Sequence, residues 1–439
     1  MLAAVLLVVV QVTAPPVAAP SDWPSWRGPQ QTGVATSGDY PTTWNVTEDD
    51  GVVWSVDLPG RGASTPVLAT IGGTTQLVLT ASIDTDDGPS EGVISYGLDG
   101  AERWRAATGP LVPGKHKKGS GANPSVVVGR EHLFAYFKSG RLAAIDADGQ
   151  TAWTLDLART YGGYDDEALW WDLGTSPVVT EDAVVVAVMQ SGPSFLVALD
   201  QATGEELWRT DRDTGAPVEA AQSYTTPVLG RFAGTEAIFT AGADAVTAHA
   251  ADTGNELWRI GGLNPDGDQY FRSIASPVRL RLDDTADLLL VPYARGESVW
   301  AFRVPTDDGP APTEAAWVRN DLGSDVPTPT GRGGVAFVLA DKGPGRGVVT
   351  AIAIDDGRTL GTLRLPRGRD GYSASPVLAG DRLYLTREDG TTFVVDVADP
   401  AAMALAGTGR LDEFIVATPV LADGRVYLRT PTRLVAIGK

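Results

Sequence analysis

The sequence contains no cysteine, and that absence removes structural disulfides, thiolate metal sites, cysteine nucleophiles and lipid attachment through an N-terminal cysteine. Histidine is scarce: His116, His132 and His249 are the whole complement, and none is paired at ligand spacing. A metal site is therefore not expected, and no Ser-His-Asp set can be assembled. No glycine-rich phosphate loop opens a helix, and no uninterrupted apolar run reaches the roughly 20 residues of a membrane-spanning helix. Positive charge is in deficit, 35 Lys and Arg against 55 Asp and Glu, for a formal charge of −20. Such a chain repels phosphate backbones and anionic membranes, which excludes nucleic acid as a partner. Asp outnumbers Glu and Arg outnumbers Lys, a bias that suits high-salt surroundings or simply a soluble, secreted surface.

What the chain has instead is turns. Gly 51 and Pro 30, with 43% apolar residues, point to many short strands and few long helices. A length of 439 residues ordinarily means two or three domains, but a repeat array escapes that limit because each unit buries its face against its neighbours. The unit is legible at residues 198–208, Ala-Leu-Asp-Gln-Ala-Thr-Gly-Glu-Glu-Leu-Trp. An apolar strand leads in, Asp200, Thr203 and Gly204 turn it, and Trp208 leaves on the returning strand. Asp and Thr bond nearby backbone and Gly accepts positive φ, so the stretch reads as a β-hairpin. The same phrase returns at Ala248, Asp252, Thr253, Gly254 and Trp258, more loosely at Asp146, Gly149 and Trp153 and at Asp99, Gly100 and Trp104, and in worn form at Ala353, Asp355 and Gly357. Repetition of this kind marks a repeat architecture.

A Ser/Thr-Pro-apolar signal opens each unit at Pro66, Pro177, Pro227, Pro277, Pro376 and Pro419, with Pro124 and Pro327 as variants. Eight starts imply eight four-stranded blades. Residues 52–58 look like the tryptophan strand of a unit that has no earlier strands, while the C-terminal unit stops after three. Each end lacks what the other has, so the expected fold is an all-β, eight-bladed propeller closed by the N-terminal strand, which removes open edges. Trp54, Trp104, Trp153, Trp208, Trp258 and Trp317 recur in the outermost strand, where packing between blades explains them better than ligand stacking. Before residue 20, the apolar run 2–10 followed by prolines and small residues reads as a secretory signal, residues 1–19, although its basic n-region is missing. The expected destinations are the periplasm, the cell surface or the extracellular space, without stable membrane insertion after signal removal. Residues 20–50, with Trp23, Trp26 and Arg27, form an ordered cap over the edge or one face of the array, and 51–439 the propeller.

Ala-x-Asp-x-x-Thr-Gly-x-x-x-Trp, matched at every position by 198–208 and at all but the Asp, where Ala250 stands, by 248–258, is the tryptophan-docking motif of quinoprotein-type propellers. The chain resembles the pyrroloquinoline-quinone (PQQ)-binding-like propeller repeat family, which includes the assembly lipoprotein BamB. The run Trp23-Pro24-Ser25-Trp26-Arg27-Gly28-Pro29 resembles the opening of many secreted members. The resemblance covers residues 22–439 and implies the eight-bladed fold; the fold hosts enzymes, scaffolds and binding proteins alike, so it does not imply one function. PQQ and calcium are possible cofactors by this resemblance only, and none is assigned from the residues. The adjacent-cysteine disulfide of many quinoprotein alcohol dehydrogenases is impossible here.

In such a ring, the loops leading from an outer strand to the next inner strand surround the channel mouth, and equivalent loops point to one face. These loops supply the candidate ligand-binding residues: His116, Lys117 and Lys118, the densest basic cluster of an acidic chain, then Trp171, Tyr224, Tyr270, Arg272, Asp370 and Tyr372. Aromatics with cations and carboxylates suit a planar polyanion, a sugar or a peptide. Solvation of the rim is the plain alternative for any one of them. The acidic runs at 84–88 and 264–268 lack the glycine and terminal Glu of a calcium loop and read as solvated turns. The expected function is a non-catalytic binding or scaffold protein taking a small molecule, glycan or protein at this face. The alternatives are a PQQ- and calcium-dependent oxidoreductase and a BamB-like assembly scaffold, the latter weakened by the missing lipid-bearing cysteine.

Overall fold

The computed structural model describes residues 23–36, 38–162 and 172–438. The expected signal at 1–19 and Trp171 lie outside the described residues. Eight antiparallel sheets follow one another as blades 1 to 8, spanning 67–110, 127–156, 178–211, 228–260, 278–319, 330–364, 377–410 and 420–437. Each begins with an inner strand, and inner strands of neighbouring blades touch around the axis. Blade 8 takes its outermost strand from the other end of the chain: Val52–Asp57 pairs antiparallel with Arg433–Ile437, with Trp54 opposite Ala436. This is the expected closure.

Blades meet through one repeated contact. The indole Nε1 of Trp54, Trp104, Trp153, Trp208 and Trp317 donates to a backbone carbonyl of the next blade, respectively Leu98, Ala147, Gln201, Ala251 and Ile354, at 2.8–3.2 Å. Each ring lies flat on the glycine of the next blade's turn. A Cβ on Gly100, Gly149, Gly204 or Gly357 would sit 2.7–2.8 Å from that ring, and one on Gly254 would overlap Trp208 outright. These glycines also hold φ between 70° and 85°, so the turn signal and the preceding tryptophan are two halves of one contact.

Where the phrase is worn, the contact changes. Blade 5 has a long segment in place of the turn, and Trp258 instead packs on Phe232 and Phe239 with its Nε1 buried and unpartnered. Blade 6 puts Gly361 at the tryptophan position, leaving room for the backbone of Pro400 and Ala401. Blade 7 gains a strand that the sequence did not suggest: Trp44–Asn45 lies parallel to Ala404–Arg410, with buried Trp44 opposite Gly409.

The Ser/Thr-Pro signal has its own role. In seven successive seams, the belt hydroxyl of one blade accepts the backbone N–H of the belt residue before it, from Thr65 to Ser125, Ser176, Thr226, Ser276, Thr328, Ser375 and Thr418, at 2.9–3.1 Å. The belt residue of blade 6 is thus Thr328, followed by Pro329, rather than a residue set by Pro327. Among the described residues no such bond joins Thr418 to Thr65. Buried Arg429 spans that seam, donating to the carbonyls of Ser64 and Thr80 at 2.9 and 2.8 Å.

The cap closes one end of the channel by pairing with inner-strand backbone. Trp23 bridges Leu68, Pro24 accepts from Val128, and Gln31 bonds Pro227 and Leu229. Buried Arg27 donates to the carbonyls of Thr32, Pro329 and Pro376 at 2.9–3.1 Å. Burial pulls its guanidinium down to about 9, which leaves it charged at neutral pH.

Gly254→Ala, which combines positive φ with overlap on Trp208, should destabilise the protein by about 2 kcal/mol or more, read as a lower urea midpoint. A chain starting at residue 59 should lose cooperative unfolding, because blade 8 then ends on an open edge and the plug is gone. An unchanged urea midpoint for Gly254→Ala contradicts the indole-on-glycine contact, and an unchanged melting temperature for the shortened chain contradicts the closure.

Candidate functional site

Two sets of connections open on the end of the channel opposite the cap: the loops entering each inner strand, and the hairpins joining second to third strands. Together they wall a cavity of about 590 Å³. It narrows past Ala63, Gly174, Ile274, Val326 and Val416 into a space of about 140 Å³ floored by Trp26 of the plug. The result is a cup with charged side chains set in a largely apolar wall, and a throat in which apolar residues alternate with the hydroxyls of Thr65, Ser125, Ser176, Ser373 and Thr418.

Of the nine residues expected at the site, His116, Lys117, Lys118, Tyr224, Arg272 and Tyr372 line this cup, although more than two hundred residues separate the first from the last. Tyr270 is exposed and lies outside the cup. Asp370 lines a separate pocket at the seam of blades 6 and 7, and Tyr372 borders both spaces. Trp171 is not described.

The basic loop is held from behind. Asp172 accepts the backbone N–H groups of Lys115 and His116 at 2.7 and 2.9 Å, and pairs with the Lys138 ammonium at 3.0 Å. Both partners are buried, and Lys138 also donates to the Pro113 carbonyl at 2.8 Å. Partial burial and the neighbouring Lys118 charge hold the His116 imidazole below its ordinary range, favouring the neutral ring. Lys118 reaches Glu388 at 2.6 Å, and Glu388 also accepts from the Ser373 hydroxyl at 2.6 Å. One ion pair thus joins the loop entering blade 2 to a hairpin of blade 7.

The opposite wall is built around Asp325. Arg272 pairs with it at 3.4 Å and with Glu219 at 3.3 Å, and Lys342 approaches it at 3.4 Å. Asp341 accepts the backbone N–H groups of Asp325 and Val326 at 2.9 and 3.3 Å. Burial pushes the Asp341 carboxyl up to about 6. Arg295 adds a further cation from a hairpin where it and Ala294 both hold φ near 50°. The Arg272 Nη1 and the Asp325 Oδ1 are buried without a hydrogen-bond partner. Such atoms are costly unless something binds them.

Among the described residues, cations therefore outnumber carboxylates in the lining of the cup, five to four. Lys117, Lys118, Arg272, Arg295 and Lys342 face Asp172, Asp325, Asp341 and Glu388, and Asp172 is already matched by Lys138. The residues missed by sequence reasoning, Lys138, Asp325, Asp341, Lys342 and Glu388 among them, mostly sit on or beside the hairpins between second and third strands. Attention to the loops entering the inner strands alone passes over all of these but Asp325, which lies in the loop entering blade 6.

Calcium and a quinone, which the fold family implies, can be tested against these residues. Calcium takes six to eight oxygen ligands, whereas Asp172, Asp325 and Glu388 each face a cation and Asp341 faces backbone N–H groups. Among the described residues no three His, Asp or Glu side chains converge as metal ligands. The described residues of the cup do not fit a calcium-held quinone.

Lys138→Met strands Asp172 as a buried, unmatched carboxylate and should cost about 3 kcal/mol or more, with faster amide exchange at Lys115 and His116. An unchanged urea midpoint contradicts the anchoring role. Asp341 gives a pH test. Its folded value near 6 exceeds the ordinary 3.8, so folding takes up a proton between the two, and the group's stability contribution is greatest below the lower value and lost as pH rises through the higher. The melting temperature of the protein minus that of Asp341→Asn should fall as pH rises from about 4 to about 7; a constant difference contradicts it.

Comparison with known proteins bears on the fold. Solved structures similar to it include quinohemoprotein alcohol dehydrogenase from Comamonas testosteroni, at 15% identity and a TM-score of 0.65 over 95% of this chain and 81% of that one. A europium-containing methanol dehydrogenase aligns at 12% identity and a TM-score of 0.68, covering 94% of this chain and 91% of that one. BamB from Moraxella catarrhalis aligns at 16% identity and a TM-score of 0.55, covering 88% of this chain and 99% of that one. A search of curated proteins finds no match. At these identities the neighbours speak to fold alone, enzyme and assembly factor alike. A family profile described as outer membrane protein assembly factor BamB matches residues 27–212 and 90–343. With that profile spanning well over half of the propeller and both kinds of neighbour sharing its blades, the chain belongs to the BamB-like family of PQQ-type repeat propellers.

Proposed function

We propose that this propeller is an exported, non-catalytic binding protein whose cup receives a small ligand carrying an anionic group and an apolar body. The observation that carries this reading is the buried Nη1 of Arg272, unpartnered among the described residues, in the wall of a cup where the described cations outnumber the described carboxylates. A ligand carboxylate or sulfonate there gains a charge-assisted hydrogen bond in a partly desolvated site, while Ala63, Ile274, Val326 and Val416 of the cup wall take apolar bulk away from water. The two features together select amphiphilic anions over simple salts.

Catalysis is not part of the proposal. The acids of the cup hold cations in place, His116 is a single imidazole without a nucleophile assigned beside it, and the carboxylates do not make a calcium cage. A scaffold role such as that named for the Moraxella protein rests on shared fold only, and nothing in the cup favours it.

The test uses benzene-1,3,5-tricarboxylate as an anionic probe and benzamide as a neutral control, with tryptophan emission read because Trp26 floors the throat. The tricarboxylate should bind saturably and weaken about tenfold in Arg272→Leu, and benzamide should bind more weakly than either. A parallel sample given PQQ and calcium should show no dye-linked alcohol or sugar oxidation. Equal affinity of both variants for the tricarboxylate, or calcium-dependent turnover, overturns the proposal.

A further inference from the structure

A second site lies outside the cup, at the seam of blades 6 and 7, in a pocket of about 220 Å³. Four guanidinium groups border it. Arg364 ends the outermost strand Thr359–Arg364 of blade 6, Arg367 follows in the loop to blade 7, Arg346 comes from the hairpin of blade 6, and Arg387 follows the strand Arg382–Thr386 of blade 7. Gly343 and Gly347, at φ of 62° and 78°, fold that hairpin tightly, and with Gly368 they leave one flank without side chains.

Arg387 is the fixed member. It pairs with Asp389 at 2.7 Å, donates to the Pro366 carbonyl at 3.0 Å, and stacks over Phe393 at 5.2 Å. Arg346 and Arg364 are tied only to backbone carbonyls, of Gly368 at 3.2 Å and of Arg346 and Pro344 at 3.4 Å. Among the described residues, Arg346, Arg364 and Arg367 have no ion-pair partner. In a chain with 55 carboxylates to 35 cations, mutual repulsion should disperse unmatched arginines, and here three of them share one small pocket. Asp370 is the carboxylate on its rim, and Asp389 is engaged with Arg387. Four guanidiniums against these two carboxylates leave a deficit of two negative charges.

We propose that this seam binds a dianionic tetrahedral oxyanion, a phosphate or the terminal phosphate of a phosphomonoester, held by forked contacts from Arg346, Arg364 and Arg367. Arginine presents paired donors in a plane that matches such oxygens, and a dianion balances the pocket's charge. Because Tyr372 borders both spaces, an ester anchored here has its organic part directed along the blade 6 and 7 seam beside the cup. The site does not depend on the cup holding a ligand.

Calorimetric titration of the intact protein at low ionic strength, with inorganic phosphate and with glucose 6-phosphate, tests this. Saturable binding is expected for at least one of them: the free ion alone assigns a phosphate site, and tighter binding of the ester assigns a phosphomonoester site. Arg346→Gln/Arg364→Gln should weaken binding about tenfold or more, while Asp370→Asn should tighten it by removing a like charge. Affinity for glucose 6-phosphate should rise from about pH 5.5 to about 7.5, as the second ionisation of a phosphomonoester near 6 completes, whereas sulfate should bind without that dependence. Arg272→Leu, altered only in the cup, should bind phosphate as the parent does. The three seam positions, Arg346, Arg364 and Asp370, are exposed, so the melting temperatures of the seam variants should match the parent. Absence of saturable binding by both phosphates, indifference to the arginine pair, or equal affinity for mono- and dianionic phosphate overturns the proposal.

Discussion

The ring depends on one contact, an indole laid flat on a glycine of the next blade. It buries a large apolar face between sheets that otherwise share little surface, and its Nε1 bond fixes the height at which the blades meet. Since the glycine must hold positive φ and have no Cβ, the turn and the tryptophan constrain each other across a blade boundary. The belt of hydroxyl bonds repeats this coupling at the axis. Where either device lapses, something else spans the gap: Arg429 at the closing seam, and Trp44 beside blade 7.

That rigid ring decides where chemistry can sit. One end of the channel is taken by the cap, whose Arg27 and Gln31 read the carbonyls of the belt prolines. The other end is left to the variable connections. There the carboxylates serve mainly to hold cations: Asp172 fastens the basic loop through backbone and Lys138, and Glu388 draws Lys118 across to blade 7. Positive charge is thereby concentrated in a cup on a protein whose net charge is −20. On the proposed reading, an anion approaching the molecule meets general repulsion and two local exceptions, a contrast that favours selectivity at the expense of association rate.

The fold was legible because repetition multiplies a weak local signal. Asp200 and Gly204 alone predict a turn, but the same residues at Asp252 and Gly254 predict an array, and the mismatched ends predict its closure. The strand at Trp44 was not legible, because two residues carry no period and the reason for them is a pair of glycines, Gly407 and Gly409, far along the chain. At the site, equivalent loops of a ring must share a face, so His116, Arg272 and Tyr372 could be placed together. Their partners could not. Lys138 and Glu388 look like ordinary hairpin charges, and Asp325 like an ordinary loop charge, until burial and pairing are known, and Tyr270 looks like its neighbour Arg272 although the two side chains part company at the rim. Alternation of exposure within a short irregular loop follows from tertiary packing and leaves no mark in composition.

The central claim is that the cup is an anion-binding site read by Arg272. A crystal structure of the protein soaked with benzene-1,3,5-tricarboxylate tests it most directly. The account predicts one carboxylate within hydrogen-bond distance of the Arg272 Nη1 and the ring directed into the throat toward Trp26. Tricarboxylate bound elsewhere while the Arg272 Nη1 stays without a partner would contradict it.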